Sequence, residues 1–179
     1  MSWRKPLAVL GVVIGLGFWL QGHSVPALAK TVIGKGADIP SNEKTVRKIV
    51  AAFDRAEEAL QKRNLDGLMA IYSEDFSYQG LKKDKLRDIW EEVFARHHRI
   101  ASSHIFSKIV VKDGKVPTAE VTCTGGLWGT SDSTGERVRI DSWFEEVHRL
   151  VYEDGAWRIR GHAGEDPNRT QFGVAHPYF

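Results

Sequence analysis

A carboxylate and an imidazole, Glu146 and His148, stand two residues apart in the second half of this 179-residue chain. Side chains alternate across a β-strand, so residues two apart share one face of a sheet. A carboxylate beside an imidazole can raise its pKa or hold one tautomer, which is what a general base requires. Glu146 and His148 are therefore the candidate catalytic pair. The alternative is that both groups are solvated or paired with a cation from a helix.

The strand around this pair is predicted from the turn that follows it. Asp154-Gly155 lies between two apolar runs, which is the strongest short-range signal for a β-hairpin. A two-residue turn pairs opposite residues and places each pair on one face. The predicted pairs are Tyr152 with Trp157, Leu150 with Ile159, His148 with Gly161 and Glu146 with Ala163. The core face then contains Phe144, Glu146, His148, Leu150, Tyr152, Trp157 and Ile159. The opposite face carries Glu145, Arg149, Arg158, Arg160 and His162.

A second Asp-Gly turn, Asp113-Gly114, brings further metal-type side chains near this face. The same pairing rule puts His104 opposite Cys123 and Phe106 opposite Val121, unless a bulge at Pro117 shifts the register. His104, Cys123 and His148, with Glu146, have the donor types that suit zinc or copper. No CxxC, HxxxH or HExxH spacing supports such a site. The sequence therefore predicts no metal and no other cofactor, and favours Cys123 as a small buried thiol beside a strand histidine. A metal held by this set is the alternative.

Three helices are predicted ahead of the strands. A long first helix begins after Ser41 or Asn42 and buries a stripe at helical spacing: Val46, Ile49, Val50, Phe53, Ala56 and Leu60. A short second helix is capped by Asp66. A brief strand containing Phe76 and Tyr78 follows and ends at the Gly80 turn. A third helix then places Leu86, Trp90, Val93 and His97 on its apolar stripe.

The first 29 residues have the pattern of a signal peptide. Arg4 and Lys5 precede an apolar run over residues 7–20, and Ala27-Leu28-Ala29 forms a small-x-small cleavage site. The run is shorter than the roughly 20 residues that span a bilayer. We therefore expect a bacterial protein that is periplasmic or secreted, with no membrane contact after cleavage. A retained N-terminal anchor is the alternative. Residues 30–42 are predicted to be a flexible leader.

Composition argues against a nucleic-acid-binding protein and against a protein stabilised by internal disulfides. Arg4 and Lys5 are two of the 25 basic residues, so the remaining chain has 23 basic and 23 acidic residues. That balance predicts no nucleic-acid partner. The single cysteine, Cys123, excludes an internal disulfide, so a domain of about 150 residues must be held together by its core.

The patterns L-D-G-L-x-A-I-Y, E-D-F and D-G-x-W-R-I lie between Val46 and Gly164. In this order the chain resembles the NTF2-like superfamily, which includes SnoaL-like and ketosteroid-isomerase-like proteins. The resemblance implies an α+β domain over residues 43–164, in which a curved antiparallel sheet packs on a long N-terminal helix and two further helices. The tail, residues 165–179, is expected to pack on this domain. The resemblance also implies a cone-shaped pocket lined by Phe53, Tyr72, Tyr78, Trp90, Phe94, His97, His104, Phe106, Cys123, Phe144 and Tyr152.

The resemblance specifies fold better than activity. The general-base aspartate of ketosteroid isomerases falls on Gly80 and their oxyanion tyrosine falls on Ala56, so both positions lack the catalytic group. A histidine near the end of the last strand, common in the family, is approximated by His162. The leading expectation is binding of a small apolar or aromatic molecule. One alternative is an acid/base enzyme that uses His148 and Glu146. The other is a non-catalytic assembly module. A homodimer formed through exposed Trp143, Val147 and Val151 is also expected.

Overall fold

The computed structural model describes residues 31–163, so the predicted signal peptide (1–29) and tail (165–179) lie outside the described residues. Residues 31–163 form seven strands and three helices. They are β1 Thr31–Asp38, α1 Glu43–Gln61, α2 Leu65–Met69, β2 Ser77–Tyr78, β3 Leu81–Lys82, α3 Lys83–Arg96, β4 His97–Lys112, β5 Thr118–Ser131, β6 Arg137–Glu153 and β7 Ala156–Ala163.

A five-stranded sheet with the order β1-β4-β5-β6-β7 forms one layer of the fold. Strands β4 to β7 are antiparallel neighbours, whereas β1 runs parallel to β4. Helix α1 packs on the inner face of this curved sheet and contacts β4 and β7. The predicted α+β architecture is confirmed. Within residues 31–163, no helix is long and apolar enough to cross a bilayer.

Helix α1 forms where the apolar stripe predicts it. The side chain of Asn42 accepts a hydrogen bond from the backbone N–H of Thr45 at 2.9 Å and so caps the first turn. The stripe, including Ile49, Phe53 and Leu60, is buried against the sheet. The cap of α2 was predicted at Asp66, but it is Asn64, whose side chain accepts from the N–H of Gly67 at 3.1 Å.

The predicted flexible leader needs correction, because residues 31–38 form β1. Thr31 pairs with His104 and Ile33 with Phe106 along the edge of β4. Gly34 and Gly36 interrupt the apolar pattern of this segment, which hides the strand from the sequence. Gly34 also permits a close approach, since a Cβ there would lie 3.2 Å from the carbonyl oxygen of Phe106.

Helix α3 ends at Arg96, so His97, predicted on the apolar stripe of this helix, lies one residue beyond it. His97 has extended backbone angles and begins β4, and its ring Nδ1 lies 3.2 Å from the carbonyl oxygen of Val93. The ring is half-buried at the helix end. His97 therefore occupies a helix C-terminus and not the apolar stripe of α3.

The Asp154-Gly155 turn is confirmed. Both residues have positive φ, 48° and 78°, which is the geometry of a type I′ hairpin turn. Tyr152 faces Trp157 and Leu150 faces Ile159, as the two-residue loop predicts. The register beyond these pairs differs from the prediction and decides the composition of the site.

Candidate functional site

A β-bulge in β6 determines which side chains of this strand point inward. Cys123 of β5 pairs with Glu146 and Gly125 pairs with Trp143, so Phe144 and Glu145 together oppose a single residue of β5. Glu145 has a φ of 52°, as one residue of a bulge often does. The bulge shifts the alternation by one residue. Trp143 is consequently buried, and Phe144, predicted on the core face, is 76% exposed.

A second bulge, in β7, turns His162 inward. Leu150 pairs with Ile159, but Arg149 pairs with Gly161, which leaves Arg160 as an extra residue. His148 therefore faces His162 and not Gly161, and Val147 faces Ala163 in place of the predicted Glu146. His162 was predicted on the outer face and is buried. This extra residue brings a third ionisable group to Glu146 and His148.

Glu146, His148 and His162 form one buried cluster. Nδ1 of His162 lies 2.9 Å from Oε1 of Glu146 and 2.9 Å from Nδ1 of His148. All three side chains are shielded from solvent, and Glu146 and His148 are completely buried. Nε2 of His148 has no hydrogen-bond partner among residues 31–163. The predicted inward orientation of Glu146 and His148 agrees with the structure.

Aromatic rings surround this cluster. The ring of Phe53 on α1 lies 5.5 Å from His148, measured between centroids. The rings of Phe76 and Tyr78 lie 5.7 Å and 5.0 Å from His162, both edge to face. A few convergent polar groups within an apolar and aromatic wall are typical of a ligand site.

His104 and Cys123 lie on the other side of His148. They are not opposite each other, since His104 pairs with Gly125 and Phe106 with Cys123. The loop after β4 is longer than two residues, because Lys112 pairs with Thr118. The side chains nevertheless meet diagonally, with Sγ of Cys123 3.7 Å from Nδ1 of His104.

Trp143 completes this side of the cluster. Its indole Nε1–H donates a hydrogen bond to Sγ of Cys123 at 3.2 Å. The indole can lie there because residue 125 is a glycine. A Cβ at this position would lie only 2.8 Å from the Trp143 ring. Trp143 was predicted to be exposed on the outer face, and the bulge at Glu145 is the reason that it is not.

Glu57 and Ser102 extend the polar cluster towards α1, and neither was predicted from the sequence. Oε2 of Glu57 accepts the backbone N–H of Ser102 at 3.0 Å and also accepts its hydroxyl proton. The hydroxyl oxygen lies 3.0 Å from Nε2 of His104. Glu57 lies on the same side of α1 as Phe53. A charged residue on this apolar stripe was the signal in the sequence from which its place in the site could have been predicted.

Burial keeps the imidazoles of His104 and His148 neutral and the thiol of Cys123 protonated. The pKa of His104 is lowered to about 3 by burial. The pKa of His148 is also held well below its ordinary value by burial, and charge on His162 or His104 would lower it further. Burial raises the pKa of Cys123 to about 12, against the hydrogen bond from Trp143. A low-dielectric interior disfavours each charged form.

Two sets of side chains in the cluster have the spacing of metal ligands. His104, Cys123 and His148 each offer one ligand atom, and these atoms lie within 4.8 Å of one another. Glu146, His148 and His162 meet the same condition. His148 belongs to both sets.

The remaining residues predicted to line a pocket are mostly part of the core. Those that are buried are Phe53, Tyr72, Tyr78, Trp90, Phe94, His104, Phe106 and Cys123. Tyr152 is half-buried, with its hydroxyl 3.3 Å from Nζ of Lys48. One surface cavity of about 400 Å³ lies elsewhere, between α1, α2 and β7. The pocket-lining role of the core residues stays a prediction.

The predicted dimer stripe is not exposed as expected. Trp143 and Val151 are buried and Val147 is half-buried. The large apolar side chains exposed on the outer sheet face include Phe144 and, at 45%, Ile105.

Solved structures with the same fold support the prediction made from the sequence. A conserved protein from Planctomyces limnophilus superposes with a TM-score of 0.58 at 19% identity, over 69% of this chain and 96% of that one. A ketosteroid isomerase-like protein from Erwinia carotovora atroseptica superposes with a TM-score of 0.50 at 18% identity, over 68% and 95% of the two chains. No protein-family model matches the chain, and no curated protein matches its sequence. The chain has the NTF2-like fold that its sequence predicts.

Proposed function

We propose that the protein binds a small, largely apolar or aromatic molecule inside the cone, with Glu146, His148 and His162 as its polar anchor. The observation that carries this proposal is the position of a carboxylate and two imidazoles, in mutual contact, within a wall of aromatic rings. Burying ionisable groups costs free energy unless they are paired and hydrogen-bonded, and such buried groups are concentrated at functional sites. Solved structures with this fold include a ketosteroid isomerase-like protein, and a ligand held in the cone is consistent with that likeness.

The anchor favours a ligand with one polar group at the end of an apolar body. Phe53, Phe76 and Tyr78 offer ring faces and edges to an aromatic ligand. The imidazoles provide a donor or an acceptor according to tautomer. Because the cluster is buried, a ligand reaches it only when the surrounding side chains move. Association is therefore expected to be slower than the typical rate of about 10⁵ M⁻¹ s⁻¹ or more.

Native mass spectrometry of the purified protein tests this proposal directly. We expect a discrete copurifying mass in the wild type and its loss from His162→Ala. Arg160→Ala is the matched control, because Arg160 is exposed on the same strand and points away from the cluster. If the wild type carries no discrete mass and no member of an aromatic ligand panel raises its melting temperature, the proposal is wrong.

An acid/base enzyme is the second candidate function, and one contact favours it. Oε1 of Glu146 lies 2.9 Å from Nδ1 of His162, so the carboxylate can orient that imidazole and stabilise its protonated form. The mechanism would differ from that of ketosteroid isomerases. Ala56 is buried in α1 without a donor, and Gly80 lies in a turn where a Cβ would have no atom within 4 Å.

Proton exchange at carbon tests whether the protein is such an enzyme. Cyclic ketones incubated with the protein in D₂O should gain deuterium next to the carbonyl, as followed by NMR. His162→Ala should abolish that exchange and Arg160→Ala should not. If the wild-type protein exchanges deuterium no faster than buffer alone does, the function is binding without chemistry.

We also propose that two copies associate through the outer sheet face. Ile105 of β4 pairs with Thr124 of β5. Thr124 in turn lies opposite the bulge at Glu145 in β6, which also contains Phe144. Ile105 and Phe144 thus form one row across three strands, and both are exposed. A twofold contact would remove this apolar surface from water.

A further inference from the structure

The strongest unassigned feature of the molecule is the trio Cys123, His104 and His148 in the interior of the cone. We propose that these three residues bind one divalent ion of the zinc class. The ion would bind to ligand atoms of these three residues that the proposed organic ligand need not contact, so the metal site is additional to ligand binding. Its test uses the metal alone, so its outcome is independent of the proposed function.

Donor type and distance both suit zinc. A thiolate and two imidazoles are ligands that zinc favours, with Zn–S near 2.3 Å and Zn–N near 2.0 Å. At a tetrahedral angle those bond lengths place sulfur and nitrogen about 3.5 Å apart. Sγ of Cys123 and Nδ1 of His104 are 3.7 Å apart, and the ligand atoms of all three residues lie within 4.8 Å of one another.

The tautomer of His104 directs a nitrogen lone pair towards the proposed ion. With Glu57 ionised, the single hydroxyl proton of Ser102 is donated to Glu57, so the hydroxyl oxygen accepts from Nε2–H of His104 at 3.0 Å. His104 therefore carries its proton on Nε2 and directs the lone pair of Nδ1 towards Cys123. A hydrogen-bonding partner that fixes a ligand histidine through its other nitrogen is a common feature around protein-bound metals.

His148 offers a second nitrogen. Its Nδ1 contacts His162, whereas its Nε2 is completely buried and has no hydrogen-bond partner within residues 31–163. An unsatisfied buried nitrogen is rare in native proteins and calls for an explanation. Coordination by Nε2 would satisfy it.

Charge balance favours a divalent ion. Binding replaces the thiol proton of Cys123, which is released to solvent, and forms a sulfur–metal bond. The resulting thiolate carries one negative charge, and the carboxylate of Glu146, which pairs with Cys123 across β5 and β6, supplies a second when it is ionised. A divalent ion neutralises both, which limits the cost of burying charge. The indole N–H of Trp143, 3.2 Å from Sγ, would further stabilise the thiolate.

The trio also leaves a coordination position open. Three protein ligands and one exchangeable position are typical of zinc sites that act on a bound molecule, whereas structural sites use four protein ligands. Glu146, His148 and His162 form an alternative set at the same spacing. We favour the set with Cys123, because the thiolate is the softer ligand and because Nδ1 of His162 already lies within hydrogen-bond distance of two groups.

Spectroscopy with Co²⁺, a coloured substitute for zinc, tests the proposal. Chelator-treated protein is incubated with Co²⁺, both in the folded state and during refolding, because the donors are buried. We expect one ion per chain and a sulfur-to-cobalt charge-transfer band, both displaced by Zn²⁺. Cys123 is the only cysteine in the chain, so the band reports on this residue alone.

Matched variants separate this site from surface binding. Cys123→Ala should abolish the band, and Cys123→Ala and His104→Ala should each weaken Zn²⁺ binding at least tenfold. His98→Ala is the control, since His98 is partly exposed and paired with Asp132. Circular dichroism confirms that each variant is folded. Zn²⁺ should also slow alkylation of the Cys123 thiol in partly unfolded wild-type protein.

Three results would overturn the proposal. The first is wild-type protein that binds less than one ion per chain under both loading conditions. The second is Zn²⁺ affinity that is unchanged in Cys123→Ala and His104→Ala. The third is loss of binding in His162→Ala with retention in Cys123→Ala, which would move the ion to the Glu146 set.

Discussion

His148 of β6 and His162 of β7 face each other inside the cone with their Nδ1 atoms 2.9 Å apart. The contact exists because Arg160 is one residue more than a regular hairpin needs, so that His162 turns to the face on which His148 lies. Without that bulge His162 would point to solvent, and Glu146 would lack its 2.9 Å contact with the second imidazole. A single inserted residue thus assembles the candidate site.

Removal of this contact should destabilise the protein. In chelator-treated protein, we expect His162→Ala to lower the free energy of unfolding by about 1–3 kcal/mol, because buried polar partners lose a hydrogen bond. Urea denaturation measures the change. Arg160→Ala should alter stability by less than about 0.5 kcal/mol, since Arg160 is exposed and its ion pair with Asp75 is long, 3.8 Å. Equal effects of the two substitutions would contradict the geometry of the cluster.

The stability contributed by Glu57 should depend on pH. Burial raises the pKa of Glu57, against the hydrogen bonds from Ser102 and Gln61, so the folded state holds the proton more tightly than the unfolded state. That contribution is fully present below the unfolded pKa and is lost as the pH rises through the folded pKa. We therefore expect the stability of the wild type relative to Glu57→Gln to fall as the pH rises above the ordinary carboxyl pKa of about 4.

Glu58 offers the control for this measurement. Its carboxylate is paired with Lys62, which lowers the pKa of Glu58 in the folded state. The stability of the wild type relative to Glu58→Gln should therefore change with the opposite sign, rising with pH. Urea unfolding of both variants at several pH values gives the comparison. If the stability of the wild type relative to Glu57→Gln also rises with pH, burial does not dominate the pKa of Glu57.

The proposed dimer should depend on Phe144. Phe144→Arg places a charge in the middle of the exposed apolar row with Ile105, and burying that charge without a partner is costly. We expect sedimentation velocity to show a dimer for the wild type and a monomer for this variant. Val116→Arg, at an exposed apolar residue in the β4–β5 loop, should leave the dimer intact. A wild-type monomer at high concentration would exclude this interface.

The mature protein should begin at Lys30. The charged start, the apolar run and the Ala27-Leu28-Ala29 site all agree on this cleavage point. Cleavage there leaves β1 intact, since that strand begins at Thr31. Intact mass of the protein recovered from the periplasm or medium checks the prediction, and a product that retains Met1 to Ala29 would contradict it.

Local signals in the sequence were sufficient for the helices, the last turn and the fold. The apolar period of 3.6 residues predicts α1, because a helix buries one stripe whatever it packs against. Asp154-Gly155 predicts the type I′ turn, because both residues tolerate positive φ. These signals depend on a residue and its near neighbours, and so they can be read from the chain alone. Glu146 and His148 were placed inside by the same local alternation.

Tertiary structure decided the rest of the site through the two bulges. A bulge is a mismatch in length between paired strands, so it depends on which residues of two distant segments hydrogen-bond. The bulge at Glu145 buries Trp143 and exposes Phe144, and the extra residue Arg160 brings His162 inward. Glu57 and Ser102 join the cluster only because α1 crosses β4 at that point. A shift of one residue in register reverses the face of every side chain beyond it, and local patterns do not encode that shift.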